Sequence, residues 1–395
     1  MTLWGCANYG QNLQVYALQR FLRDAGHDAF LIRYPLIEYQ DDRPIKWLKQ
    51  FLKHSLPPFV LKIIYKFKGK KYKHSLNKET DVKFSFHRDP SYLIHLRAIG
   101  KFLDDYINQS LLFYPSISEL KANPPEADAY ITGSDQVWNF WGQPLSIAKR
   151  ETLDAFFLNF GKSDIKRISY ASSFGTRKID NKSAEIIKPL IKSFSFISVR
   201  EEEGLNLCKA FGCNNAQWVP DPTLLLDKSY YRSLYNESGV VKQNKPYCFI
   251  YMIRDNPFFL QNCYIWAQKN NLEIILITNS DLVQHDFKET FATIPEWLCL
   301  LDNAQYVFTD SYHGSIFSII FNKLFGIIPF NNCENDLRLN DLFRRFNLQY
   351  PLLNDFNSFS FSSKTEMNKT ELILGELYKK YSFDWFNNIL SLNNE

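Results

Sequence analysis

The sequence predicts an α/β protein of two domains, each a mostly parallel sheet covered by helices. Three observations carry that expectation. Short apolar runs ending in polar residues alternate with segments of helical periodicity along most of the chain. A polar, apolar-poor stretch from Asp227 to Lys245, DKSYYRSLYNESGVVKQNK, divides the alternation into two sets. A chain of 395 residues is also too long for one compact core and comfortable for two.

The elements follow in order. LQVYALQRFLRDAG, residues 13–26, spaces its apolar groups for a helix that stops at Gly26, and HDAFLIRY reads as a strand. Only MTLWG precedes the loop CANYGQN, so the strand expected before this helix is very short or the recorded start is late. ADAYITGSD, RISYASSFG and FISVRE each run from a strand into polar residues, with helical segments SAEIIKPLIKSF and EEEGLNLCKAFG among them. The second set is YCFIYMI, EIILITN, YVFTDS and FGIIPF, with helical patterns between. The final helices, ELILGELYKKY and FDWFNNILSL, are expected to pack back on the first domain. The division is an N-terminal Rossmann-like domain over 1–235, a C-terminal one over 236–350 and a helical segment over 351–395. Ligands in such sheets bind at the carboxyl ends of strands.

An apolar fraction of 45% with 22% charged residues is that of a globular protein. Lys, Asn or Ser interrupts every apolar stretch before it reaches roughly 18 residues, so no transmembrane helix is expected. The N-terminus lacks the basic and apolar regions of a secretory signal, and the expected location is the cytoplasm. Seven cysteines, an odd number without metal-knuckle spacing, read as reduced thiols, and the Cys and His positions form no zinc pattern. HExxH, DxD, Walker A and GxGxxG motifs are absent, which leaves metal hydrolysis and common dinucleotide use without local support.

The net charge of +4 hides one block. Between Arg43 and Lys78 stand eleven Lys or Arg and no Asp or Glu, leaving 35 basic against 42 acidic residues elsewhere. This insertion, 43–78, interleaves lysines with residues such as Trp47, Phe51, Ile63 and Phe67, and Pro57-Pro58 breaks it into two amphipathic segments. That is the pattern of an interfacial helix on an anionic membrane. No nucleic-acid recognition motif accompanies it, and a solvated surface insertion is the plainer alternative.

Four stretches carry candidate chemistry. In YVFTDSYHGSIF, Ser311 to Gly314 are expected in the turn between a strand and a helix. Backbone N–H groups at a helix start favour phosphate or carboxylate, Gly314 permits close approach, and the His313 imidazole can exchange a proton near neutral pH. The plainer alternative is that Asp310 and Ser311 cap the helix and His313 packs. In FISVREEEG, Arg200 at a strand end is shaped to grip a carboxylate or phosphate through two hydrogen bonds, or else forms a surface ion pair. In TGSDQVWN, Asp135 and Asn139 could hold a ligand hydroxyl and Trp138 could stack on a sugar, or the stretch is an Asx turn with a buried Trp. In CANYGQNLQ, residues Asn8, Tyr9 and Gln11 could reach the same pocket.

Taken together, NYGQNLQVYALQ, GSDQVWN, SVRE, VPDPTLLL and TDSYHGSIFSIIFNK, in this order, resemble the polysaccharide pyruvyl transferase family over roughly residues 3 to 350. The resemblance implies two Rossmann-like domains facing a cleft, similar to GT-B glycosyltransferases, with the acceptor side in the first domain and the donor side in the second. It implies transfer of the carbon skeleton of phosphoenolpyruvate to two sugar hydroxyls as a cyclic ketal, with release of phosphate and no metal or other cofactor. By motif, His313 and Arg200 become the central pair. Donor binding falls to Arg200, His313, Gly314, Ser315 and a basic residue after the histidine helix, with Arg338 preferred over Lys323. The acceptor falls to Asn8, Tyr9, Gln11, Asp135, Trp138 and Asn139. The expected partners are phosphoenolpyruvate and a saccharide, lipid-linked or free, with a peripheral membrane contact through 43–78 and no nucleic acid. A GT-B glycosyltransferase using a nucleotide sugar and a non-catalytic glycan-binding protein remain the alternatives.

Overall fold

The computed structural model describes residues 1–34, 90–139, 147–254, 256–279, 289–328, 333–349 and 362–391. The basic insertion 43–78 lies outside the described residues.

The first unit comprises α1 (Tyr9–Asp24), β1 (Leu31–Arg33), α2 (Pro90–Leu96), α3 (Ile99–Tyr106), β2 (Gln109–Phe113), α4 (Ile117–Ala122), β3 (Ala129–Thr132), α5 (Ile147–Phe156), β4 (Lys166–Ser169), α6 (Asn181–Ile191), β5 (Ser198–Val199), α7 (Glu202–Ala210) and β6 (Gln217–Trp218). All its strand pairs are parallel: β1 with β2, β3 with β4 and β5 with β6. Backbone bonds from Ser169 N–H to the Phe196 carbonyl (3.0 Å) and from Ser172 N–H to the Ser198 carbonyl (3.2 Å) join the last two pairs. Gly133 N–H donates to the Met1 carbonyl at 2.7 Å, so the first residues run alongside β3 where the short first strand was expected.

Helix α1 starts four residues before its apolar periodicity does. Asn8 caps it, its side-chain oxygen accepting from Gly10 N–H at 2.9 Å and Gln11 N–H at 3.4 Å, and so the polar GQN turn is helix rather than loop. At the other end Gly26, with φ 94°, reverses the chain toward β1.

The second unit follows as α8 (Lys228–Glu237), β7 (Tyr247–Met252), α9 (Pro257–Lys269), β8 (Glu273–Thr278), α10 (Ile294–Asn303), β9 (Tyr306–Thr309), α11 (Tyr312–Ile320), β10 (Leu324–Ile327) and α12 (Cys333–Arg345). Its sheet is wholly parallel in the order β10-β9-β7-β8, and all six residues of β7 are buried, as a central strand covered on both faces requires. Two helices close the chain, α13 (Lys364–Lys380) and α14 (Phe383–Ser391).

Aromatic packing joins the units. Trp297 on α10 is fully buried and stacks on Tyr9 of α1 at 5.3 Å, with Tyr251 and Phe317 each 5.4 Å away. Truncating one such ring costs about 3–5 kcal/mol in a packed core. α14 returns to the first unit, where Phe386 lies 6.1 Å from both Phe21 and Tyr170 and Trp385 lies 6.0 Å from Phe196. The described residues thus form two α/β units with parallel strands, and the last helix crosses back on the first. Among the described residues, no helix is long and apolar enough to cross a membrane. The described cysteines are free, and burial pushes the Cys208 thiol up to about 12.

Candidate active site

The carboxyl end of β9 sets one wall. Beyond Thr309 the chain turns into α11, and Ser311 is its cap, its hydroxyl accepting from Gly314 N–H at 3.2 Å. His313 therefore stands on the first helical turn, not in a turn before it. Gly314 meets β9 closely: a Cβ there would lie 2.3 Å from Thr309 Oγ1. In the cap, the Gly314 N–H donates to the Ser311 hydroxyl and the Ser315 N–H to the Ser311 carbonyl (3.0 Å). The Ser315 hydroxyl also turns to that carbonyl, at 3.0 Å. A helix start leaves its first N–H groups for a ligand, and here those belong to Tyr312 and His313.

Asp310 does not cap α11. Its carboxylate accepts from the N–H groups of Ile253 (2.6 Å) and Arg254 (2.8 Å) just past β7, pinning two strand ends together. Burial pushes its carboxyl up to about 6 against the pull of those N–H groups. The native state thus binds this proton more readily than the unfolded chain, whose carboxyl titrates near ~3.9. The contribution to stability is full below that value and is lost as pH rises through about 6. Relative to the parent, Asp310→Asn should therefore gain melting temperature between about pH 4.5 and about pH 7.5. A difference that stays constant over that range would show that the ionised carboxylate carries no burial penalty.

The first unit supplies the facing wall. Arg200, directly after β5, is 3% exposed. Its Nε donates to Glu201 at 3.0 Å and its Nη1 to Ser134 Oγ at 3.3 Å and Asp221 Oδ2 at 3.2 Å. Burial alone would lower the guanidinium pKa, but Glu201, Tyr312, Asp221 and Asp135 together outweigh it and hold the charge firmly in place.

Asp221 is the hub. Its Oδ1 caps the 3-10 turn Pro222–Leu224, accepting from Thr223 N–H (3.0 Å) and Oγ1 (2.7 Å). Its Oδ2 accepts from Gln14 Nε2 (2.5 Å), Ser134 Oγ (3.2 Å) and Arg200, and His313 Nε2 lies 3.6 Å away. Burial would raise this carboxyl, yet His313, Arg200 and Thr223 hold it well below the usual carboxylate range. Tyr312 stands between two guanidinium groups, with Arg200 5.0 Å and Arg338 of α12 5.7 Å from its ring centre. Burial and the neighbouring Arg200 both lower the Arg338 pKa. The carboxylates of Asp221 and Glu201 keep the cluster from being purely cationic. Even so, two buried nitrogens, Arg200 Nη2 and His313 Nε2, make no hydrogen bond among the described residues; Asp135 Oδ1 lies 4.0 Å from the former. The His313 ring rests on the backbone of Gly10, where a Cβ would come within 2.1 Å of its Cγ.

Of the residues singled out in the sequence, His313, Arg200, Arg338 and Asp135 come together here. Asn8 holds the start of α1, and Gln11 follows on its first turn. Asp135, with φ 86°, accepts from Gln136 N–H at 2.7 Å, and Asn139 donates to Gln136 Oε1 at 2.7 Å. Two of the residues expected on the acceptor side are buried. Trp138 is fully buried, stacked on Phe157 at 4.9 Å with its indole N–H on the Phe156 carbonyl, and presents no face to a sugar. Tyr9 is likewise buried against Trp297, its hydroxyl on the Ala292 carbonyl at 2.7 Å. Lys323 turns to the Asp302 carbonyl at the far end of α11, away from His313. Asp221, Gln14, Ser134 and Tyr312 also belong to the cluster and did not stand out in the sequence. An acid before Pro with Thr two positions on, as in PDPT, is a turn-cap signal and could have singled out Asp221.

Solved structures similar to this chain include UDP-GlcNAc 2-epimerases from three organisms. That of Methanocaldococcus jannaschii is 16% identical over 65% of this chain and 71% of its own, with a TM-score of 0.36. That of Rickettsia bellii is 13% identical over 75% and 88%, with a TM-score of 0.39, and that of Neisseria meningitidis 8% identical over 98% and 93%, with a TM-score of 0.40. No curated protein sequence matches the chain. The family model for polysaccharide pyruvyl transferase matches residues 8–329, from the cap of α1 past the end of β10, and so takes in Asp221 and both members of the His313–Arg200 pair. A match of that extent, over the elements that build this cluster, makes the chain a member of the polysaccharide pyruvyl transferase family, the transferases of polysaccharide biosynthesis.

Proposed function

We propose that the donor is phosphoenolpyruvate and the product a cyclic ketal across two hydroxyls of one sugar residue. The observation that supports this most is the pair of buried donors without an acceptor, Arg200 Nη2 and His313 Nε2, beside the start of α11 and the Arg338 guanidinium. Such a site suits a compact anion that also takes up a proton. In this reading the imidazolium of His313 protonates the methylene carbon, and C2 becomes an oxocarbenium-like centre. The first sugar hydroxyl adds to C2 and its proton returns to His313. The C2–O bond to phosphate then breaks, the second hydroxyl closes the ring, and its proton leaves with the phosphate. Atoms and charge balance without a redox partner or cofactor. The proton donor accounts for about 10²- to 10⁴-fold in rate, and the arginines hold the anionic donor.

The test is phosphate release from phosphoenolpyruvate by the purified protein, offered free and lipid-linked galactose-, mannose- and glucosamine-type acceptors. Acceptor-dependent release that His313→Ala abolishes is the expected result. Binding of a nucleoside diphosphate without any release would point instead to a nucleotide-sugar glycosyltransferase. Saccharide binding untouched by His313→Ala, with no turnover, would point to a glycan-binding protein.

A peripheral contact with anionic lipid fits the same reading, because a lipid-linked acceptor would then meet the cleft at the membrane. Strand β2 exposes Leu111 (96%) and Leu112 (56%), and it pairs with β1, from which the chain leads on to the eleven cations of 43–78. Co-sedimentation with anionic vesicles should fall with added salt and with neutralisation of Lys62, Lys66, Lys68, Lys70 and Lys71. Equal binding by that variant would refute the contact.

A further inference from the structure

We infer that Asp221 is the positioning residue of this site: one carboxylate oxygen accepts from Arg200 Nη1 and places its charge 3.6 Å from His313 Nε2, which sets where the imidazole lies relative to the guanidinium. The inference rests on the pyruvyl-transfer reading for its catalytic consequence, though not for its geometry.

The two oxygens of Asp221 have separate tasks. Oδ1 is occupied by the turn, through Thr223 N–H and Oγ1. Oδ2 is faced by Gln14 from α1, Ser134 from the loop after β3, Arg200 from the end of β5 and His313 from the first turn of α11. A cap alone needs only the first set. An acid, rather than Asn, is called for by the second, because all four groups are donors and two carry or can carry positive charge. Asp221 is 1% exposed, so its charge acts on them with little screening by water. Asp221 Oδ2 faces His313 Nε2 at 3.6 Å on one side of the ring, while Gly10 closes the opposite side.

Asp221→Asn separates the two tasks. Asn keeps an oxygen for Thr223, and its amide can be met by Gln14 Oε1, a buried atom that makes no hydrogen bond among the described residues. The variant therefore folds but loses the negative charge between His313 and Arg200. Turnover should fall by about 10²-fold or more. Affinity for phosphoenolpyruvate, measured by calorimetry, should be unchanged or higher, since an anion beside Arg200 has been removed. A merely structural Asp221 would lower turnover and donor affinity together, in step with urea stability.

A second readout needs no turnover. The rate at which diethyl pyrocarbonate acylates His313, followed by peptide mass, should rise several-fold in Asp221→Asn because the ring loses the carboxylate that faces Nε2, while Thr223→Val, which weakens only the turn cap, should leave that rate unchanged. An acylation rate equal to the parent's, or faster only in proportion to lost stability, would overturn the inference. If the parent itself neither binds phosphoenolpyruvate nor releases phosphate, the pyruvyl-transfer reading fails, and the acylation rate still decides the role of Asp221.

Discussion

Arg200→Met should lose donor binding and about 3–5 kcal/mol of stability together. The guanidinium is 3% exposed and serves Glu201, Ser134 and Asp221 at once, while Nη2 is buried without a hydrogen-bond partner among the described residues. Removing it takes the guanidinium partner from two carboxylates, Glu201 and Asp221, that are 8% and 1% exposed. A buried charge stripped of its partner is far costlier than a surface ion pair. Urea unfolding and calorimetry with phosphoenolpyruvate read the two effects separately. Arg200→Lys should recover part of the stability, because an ammonium keeps the charge but cannot fork between Glu201 and Asp221. Full stability in Arg200→Met would show that the cluster is solvated in solution.

Gly10→Ala is expected to cost turnover nearly as much as removing His313 itself. Alanine is ordinarily the better helix residue by about 0.5–1 kcal/mol. Here its Cβ would stand 2.1 Å from His313 Cγ and 2.5 Å from His313 Cβ. Either the imidazole swings away from Asp221 or α1 backs off α11, and such overpacking costs about 1–3 kcal/mol. Gly100→Ala is the matched control, since Gly100 is also helical and a Cβ there meets none of the described residues within 4 Å. Comparable turnover in the two variants would mean that α1 does not brace the histidine.

Much of this site was legible before any coordinates because its parts lie at strand ends and helix starts, which sequence punctuates clearly. Arg200 after SV and His313 after FTDS could both be placed at the carboxyl ends of parallel strands from local pattern alone. What the sequence hides is which way a side chain turns. Trp138 and Tyr9 stand in polar, loop-like motifs, and nothing local says that Phe157 and Trp297, far along the chain, will cover them. Asp221 was hidden for a related reason. Its local task as a turn cap is written in PDPT, whereas its contacts with Gln14, Ser134, Arg200 and His313 exist only after four elements meet. Asp310 shows the opposite error, a residue with an obvious local use as a helix cap that is taken instead by the neighbouring strand end. The strand pairs of the first unit were also shorter than their apolar runs, with β5 reduced to two residues. Burial, not ladder length, keeps FISV apolar.

The hub geometry also orders the variants. Asp221→Asn acts on the proton donor, Arg200→Met on the anion grip and on stability, and Gly10→Ala on the brace behind the ring. Since His313, Asp221 and Arg200 share one network, their effects should be far from additive in double variants.

The most direct measurement is the mass of a saccharide acceptor after incubation with the protein and phosphoenolpyruvate. Pyruvyl transfer predicts a gain equal to pyruvate less water, matched by an equal amount of phosphate and absent with His313→Ala. An acceptor that gains a sugar from a nucleotide donor, and nothing from phosphoenolpyruvate, would contradict it.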